Sequence, residues 1–210
     1  MVRRRVQREP LAYILGRAHF RRLTLAVDRH VLIPRPETEL LVELIGAEER
    51  ILDVGTGSGA VALATLDEHP GADVVATDSS EAALVVACAN AEHLGLSVQF
   101  ELADLVHGSG YDAILANPPY VSESEWVGLQ PEIVNYEPRE ALLAGSDGLD
   151  VIRRLIPAAQ AALRSGGLLA VEVGQGQAGA VVDLACAAGF SQVGTELDLA
   201  GIERVVWARS

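Results

Sequence analysis

The chain has 210 residues, half of them hydrophobic, with 29 acidic residues against 16 basic ones and a net charge of −13. That length supports one domain with a substantial core and is short for two. No apolar run approaches the roughly 20 residues that cross a bilayer, and no apolar signal core follows the basic start, so a soluble, cytoplasmic protein without membrane contact is expected.

Residues 1–10 read as the tail of a helix that Pro10 terminates. Up to residue 33, Phe20, Leu23, Leu25, Val27, Val31 and Ile33 alternate loosely with polar residues, which predicts a β-hairpin. The segment Ile33-Pro34-Arg35-Pro36-Glu37-Thr38-Glu39 stiffens the entry to a helix over residues 40–45, whose dipole Glu37 and Glu39 complement. From residue 51, strands at 51–54, 73–77, 98–102, 111–116 and 168–173 alternate with helices at 59–69, 80–94, 149–163 and 177–188. A polar loop runs to about residue 147, Gly166-Gly167 caps the helix before the fifth strand, and 192–197 with 204–208 form a closing antiparallel pair. The class is α/β: a mostly parallel seven-stranded sheet covered on both faces, preceded by a hairpin, with ligands over the carboxyl ends of its strands. Cys88 and Cys186 lie in alanine-rich helices and read as buried, reduced thiols.

Cations concentrate at the start. Residues 1–36 hold nine arginines against Glu9 and Asp28, and lysine is absent from the whole chain. Every cation is a guanidinium able to bind carboxylate or phosphate bidentately. Such an arm suits RNA or a ribonucleoprotein-bound partner, or simply a solvated helix end. The acidic remainder makes nucleic acid an unexpected substrate, because a nucleic-acid groove needs many phosphate-neutralising cations.

Two motifs carry chemistry. Gly55-Thr56-Gly57-Ser58-Gly59 joins the first strand to the first helix, where glycines admit a ligand close to the backbone. The spacing alone also fits a dinucleotide fingerprint, and Asp78 at the end of the second strand suits the ribose hydroxyls of either cofactor. Asp53, two residues before the first glycine, favours S-adenosylmethionine: an anion there opposes a pyrophosphate but welcomes an ammonium and a sulfonium. Asp104 suits the adenine amino group or a plain helix cap. Asn117-Pro118-Pro119-Tyr120 ends the fourth strand. The two prolines restrict the backbone so that Asn117 is aimed, its oxygen and the Pro118 carbonyl can accept both N–H bonds of an –NH2 group, and Tyr120 can pack on that group's flat face. Leu32 and Pro34 are candidates for a second wall. Glu137 and Arg139 read as braces of the loop after the fourth strand, Trp126 as packing within it, and Glu172 as an anchor at the end of the fifth strand. The five histidines are scattered, so no metal is assigned.

These segments, with residues 9–16, Glu137-Pro138-Arg139-Glu140-Ala141-Leu142 and Gly145-Ser146-Asp147-Gly148-Leu149-Asp150, resemble the PrmC/HemK family of peptide-chain release factor glutamine methyltransferases along essentially the whole chain. The resemblance implies a class I, Rossmann-like methyltransferase that moves a methyl group from S-adenosylmethionine to the N5 amide of the glutamine in the Gly-Gly-Gln motif of class-1 release factors. It implies cofactor contacts from Asp53, Gly55, Thr56, Gly57, Ser58, Gly59, Asp78, Asp104, Leu105 and Asn117. Catalysis would fall to Asn117, Pro118 and Tyr120, and substrate contacts to those residues with Pro119, Leu32 and Pro34. Leu105 stands where relatives often carry tryptophan, which implies a weaker adenine contact. Residues 1–10 read as a remnant of the family's helical N-terminal region, 11–36 as hairpin and proline-rich linker, and 37–210 as the catalytic domain. A DNA or RNA amino (N6-adenine type) methyltransferase would use the same turn on a flipped base, and a cofactor-binding module without activity would keep the same loop.

Overall fold

The computed structural model describes residues 1–47 and 49–210. Two sheets form. The first is a hairpin of β1 (Arg17–Phe20) and β2 (Leu23–Ala26). The second holds β3 (Arg50–Val54), β4 (Asp73–Asp78), β5 (Gln99–Leu102), β6 (Tyr111–Ala116), β7 (Leu163–Glu172), β8 (Gln192–Leu197) and β9 (Glu203–Arg209) in the order β5-β4-β3-β6-β7-β9-β8. Neighbours from β5 to β7 are parallel, and β9 inserts antiparallel between β7 and β8. The expected mostly parallel seven-stranded sheet is what the chain forms.

Side-chain alternation along the central strands sorts the core into two layers. Leu52, Val54, Ile114, Ala116, Leu169 and Val171 pack with Ile152, Leu155 and Ile156 of α8 (Asp150–Ala162) and Val181 and Ala185 of α9 (Ala178–Ala187). On the opposite face Ile51, Ala113, Leu115, Leu168 and Ala170 pack with α3 (Glu39–Glu43), α4 (Ala60–Glu68) and α5 (Glu81–Leu94). Phe20, Leu23 and Leu25 of the hairpin join this second layer, so the hairpin is part of the core wall. The chain runs outward from β3 to β4 and β5, then returns to β6 on the other side of β3. At this reversal Val54 is in register with Ala116, so the glycine loop and the Asn-Pro-Pro-Tyr turn emerge side by side.

Several local expectations change. α1 (Val2–Val6) ends before Pro10, and Pro10 instead caps the start of α2 (Leu11–Leu15), since a proline without an N–H suits a helix start. Gly16 closes α2 in the left-handed conformation. Val31 and Ile33 lie outside the hairpin strands. The loop after β6 contains α6 (Glu123–Trp126), capped by a reciprocal Ser122–Glu125 box, and α7 (Pro131–Tyr136). Gly166 and Gly167 do not cap α8; they bulge within the first part of β7, where Gly166 N–H donates to Ser210 O. Cys88 and Cys186 are free but exposed, because Ala87 and Ala91, and Val181 and Ala185, take the inward positions of their helices.

The basic arm is largely internally paired. Arg4 pairs with Glu9, Arg5 and Arg8 with Glu132 of α7, and the Tyr136 hydroxyl donates to Gln7 O at 2.7 Å. Arg21 bridges Glu43 and Glu68, and Arg22 pairs with Asp67.

Candidate functional site

β3 delivers Asp53 and then a loop in which Gly55, Gly57 and Gly59 all take positive φ. At Gly59 (φ 83°) a Cβ would also sit 2.9 Å from Leu63 Cδ1, so glycine is required where the loop turns into α4. The loop folds onto two carboxylates. Asp53 is 2 % exposed, and its Oδ2 accepts from Thr56 Oγ1 at 2.6 Å and from Ala62 N–H at 3.1 Å. Burial pushes its carboxyl up to about 7, against the pull of those two bonds; the nearby Asp78 charge adds to the rise. Asp78 accepts from Gly57 N–H at 2.9 Å and from Ser80 N–H at 2.8 Å.

The partners of the loop amides distinguish between cofactors. Gly55 and Thr56 N–H both donate to Thr77 O at 2.9 Å, and the Gly57 N–H goes to Asp78. Those amides are spent inside the protein, so the loop is a poor nest for a pyrophosphate. A carboxylate offers about four acceptor sites, of which Asp78 uses two, leaving capacity for a pair of ribose hydroxyls. With a buried acid behind the loop, the donor set fits a cationic nucleoside such as S-adenosylmethionine. A cleft opens here, lined by the glycine loop, Asp53 and Asp78.

Across that cavity stands Asn117, at the end of β6. Its Nδ2 donates to Thr38 Oγ1 at 3.1 Å, and Thr38 Oγ1 donates to Glu172 Oε2 at 2.6 Å. The other oxygen of Glu172 accepts from the Tyr120 hydroxyl at 3.1 Å. Glu172 is 1 % exposed, and burial pushes its carboxyl above the usual range despite the bonds from Thr38 and Tyr120 and the charge of Arg204. Burial, then the charge of Glu172, raises the Tyr120 phenol as well, so it stays a donor.

Other contacts hold the surrounding loops. Gln177 Nε2 donates to Tyr120 O at 2.9 Å and to Asp147 O at 3.3 Å, while its Oε1 accepts from Gly174 N–H at 2.8 Å. Gly148 (φ 76°) lies so close that a Cβ there would be 2.2 Å from Tyr120 O. Glu137 accepts from Ile33 N–H at 3.2 Å and Arg35 at 2.5 Å, and Arg139 stacks over the Trp126 ring at 5.3 Å. The buried Asn90 of α5 bonds Ala26 through both its N–H and its carbonyl and Ser58 through its carbonyl, tying hairpin to glycine loop.

The expected residues therefore divide. Asp53, Gly55, Thr56, Gly57, Ser58, Asp78, Leu32, Pro34, Asn117 and Pro119 line the one cavity. Gly59 shapes the loop beneath it. Pro118 is buried beside it, and Tyr120 leans away from it toward Glu172 and the core. Asp104 is not in the cavity wall: it is exposed and paired with Arg154. Leu105, at φ 68°, packs into the core, and its carbonyl accepts from Thr77 Oγ1. Thr38, Asn90 and Gln177 are the residues that motif reading passes over. Their signal is weak: a polar residue on an inward stripe for Asn90, and none for the others. Among the described residues, no three His, Cys, Asp or Glu side chains converge as metal ligands would.

Comparison with known proteins agrees with this geometry. Residues 36–140 match the family model for the methyltransferase small domain. A release factor glutamine methyltransferase of Gloeobacter violaceus is 47 % identical over 99 % of this chain and 78 % of its own length. One of Geobacter sulfurreducens is 44 % identical over 100 % and 76 %. Among solved structures, a T. thermophilus 16S rRNA methyltransferase (RsmC) in complex with AdoMet and guanosine superposes with a TM-score of 0.64 at 21 % identity, over 92 % of this chain and 49 % of that one. A methyltransferase of Pyrococcus furiosus gives 0.64 at 18 %, over 88 % of both. Those two speak for the class I methyltransferase fold; the relatives, matched over nearly the whole of this chain, establish that it belongs to the release factor glutamine methyltransferase family.

Proposed function

We propose that the chain transfers the methyl group of S-adenosylmethionine to the side-chain amide nitrogen of a glutamine in a class-1 peptide chain release factor. The carrying observation is the placement of Asn117 across one cavity from the glycine loop and its two acids. The relatives named release factor glutamine methyltransferase support the choice of acceptor. Release factors act where ribosomes terminate translation, so this reading has the chain work in the cytoplasm. Residues 37–210 are the catalytic unit in this reading, with 1–10 and 11–36 as its N-terminal arm and hairpin.

S-adenosylmethionine supplies, when bound, an electrophilic methyl on a positively charged sulfur. Asp78 would take the ribose hydroxyls, and Asp53 would serve behind the loop as counter-charge. A glutamine amide nitrogen is a poor nucleophile, because its lone pair is delocalised into the carbonyl. Asn117 Oδ1 and the Pro118 carbonyl accept its two hydrogens and hold the nitrogen in line with the methyl carbon. Positioning of this kind is worth up to roughly 7–11 kcal/mol. Leu32, Pro34 and Pro119 keep the gap apolar. The amide proton becomes acidic only as the new N–C bond forms and the sulfur–methyl bond breaks, its electron pair staying on sulfur, so no base is needed early and the proton passes to water afterwards.

The test is transfer of label from S-adenosylmethionine to a purified release factor, with an adenine-bearing oligonucleotide as the competing acceptor. Asn117→Ala should lower turnover at least about a thousandfold, with cofactor affinity by calorimetry changed less than about twofold. Near-normal methylation by that variant would refute the proposed clamp.

A further inference from the structure

We propose that Thr38 and Glu172 are positioning residues that dictate which end of the Asn117 amide faces the methyl acceptor, an inference that rests on the methyl-transfer reading above. A hydroxyl has a single proton to give. That of Thr38 goes to Glu172 Oε2 at 2.6 Å, so Thr38 Oγ1 can meet Asn117 only as an acceptor. The Nδ2 end of Asn117 satisfies it at 3.1 Å, and a flipped amide would set two acceptors face to face. The oxygen end of Asn117 is thereby left for an incoming N–H. Without this constraint the amide could present its NH2 to another NH2, donor against donor.

Independent features agree. Thr38 stands at the N-cap of α3, where a threonine hydroxyl ordinarily caps the helix, yet it makes no capping bond. Its hydroxyl is 134 residues from Glu172 and 79 from Asn117 in sequence, so β6, β7 and the turn before α3 are brought together for this chain of bonds. The second oxygen of Glu172 holds the Tyr120 hydroxyl, so one carboxylate fixes both polar side chains of the turn. Glu172 lines a small side cavity with Arg35, Glu37 and Arg204, behind the turn and apart from the cofactor cleft.

Thr38→Val keeps the side-chain shape and removes the hydroxyl; Thr38→Ser keeps the hydroxyl. In single turnover, the valine variant should lose about tenfold to a hundredfold in rate, with cofactor affinity within about twofold, and the serine variant should stay within about threefold of the parent. In the Asn117→Ala background, Thr38→Val should cost nothing further, which a merely structural role would not produce. In the acceptor-free protein, the Asn117 side-chain amide resonance, assigned by its loss in Asn117→Ala, should move in the valine variant and stay in the serine one. A valine variant with the parent rate and the parent resonance, or an equal loss in the Asn117→Ala background, would overturn the proposal. If the parent labels the oligonucleotide instead of the release factor, the functional reading falls and the same comparison is made on that acceptor. If it labels neither, the resonance decides.

Discussion

Asp53→Asn tests the electrostatics of the cleft most directly. The carboxyl moves from an ordinary 3.8 to about 7 because burial strips its water. At 1.36 kcal/mol per pH decade, that difference corresponds to about 4 kcal/mol. The sign follows from where the proton sits: between pH 4 and 7 the folded state keeps a proton that the unfolded chain has lost. Stability from this group is therefore complete below about pH 4 and is lost as the pH rises through 7. Asparagine cannot titrate, so urea unfolding of the ligand-free variant from pH 4 to 8 should lack a fall of up to about 4 kcal/mol that the parent shows. Cofactor affinity should carry the opposite trend. A cationic ligand needs the ionised acid, so parent binding should tighten nearly tenfold per unit up to about pH 7 and then level off, relative to the variant. Parallel stability curves for the two proteins would refute the argument.

Two further substitutions probe the scaffold. Asn90→Leu removes three hydrogen bonds, two to the Ala26 backbone and one to the buried Ser58 carbonyl; it should destabilise by about 2–4 kcal/mol in urea and weaken cofactor binding. Gly148→Ala should cut turnover at least about tenfold by pushing on the Tyr120 carbonyl, whereas Gly16→Ala, with a similar positive φ but open space around it, should cost about 1 kcal/mol of stability and leave turnover intact.

Contiguous information was legible in the chain. The glycine loop and the Asn-Pro-Pro-Tyr turn are each a few adjacent residues following a strand, so their place in the fold followed from hydrophobic pattern alone. Partners that meet only after folding were not. Nothing local marks Thr38 as the bridge between Asn117 and Glu172, and a capping role would have been the ordinary guess. Glu172 did carry a hint, an acid closing an apolar run, and its anchoring role holds, although what it anchors is the Asn-Pro-Pro-Tyr turn. Asp104 stands where chain position suggests the cofactor cleft, while in the fold the left-handed Leu105 turns inward and the exposed acid pairs with Arg154. The cysteines misled because alanine-rich helices look apolar on every side, and only packing decides which side is in.

The pairing of β3 with β6 acts as a ruler. Val54 lies against Ala116, so Gly55 and Asn117 each follow by one residue from a matched pair. In the proposed reading the spacing between methyl donor and acceptor is thus graduated in strand residues, about 3.3 Å apiece, and no loop needs to set it. Length changes in the segments between these strands leave the scale untouched. A one-residue slip of β6 would move Asn117 by a full division and turn its side chain to the opposite face, too far for any displacement at carbon. Reach in this protein is calibrated by the paired strands of the sheet, and the loops are free to vary in length around them.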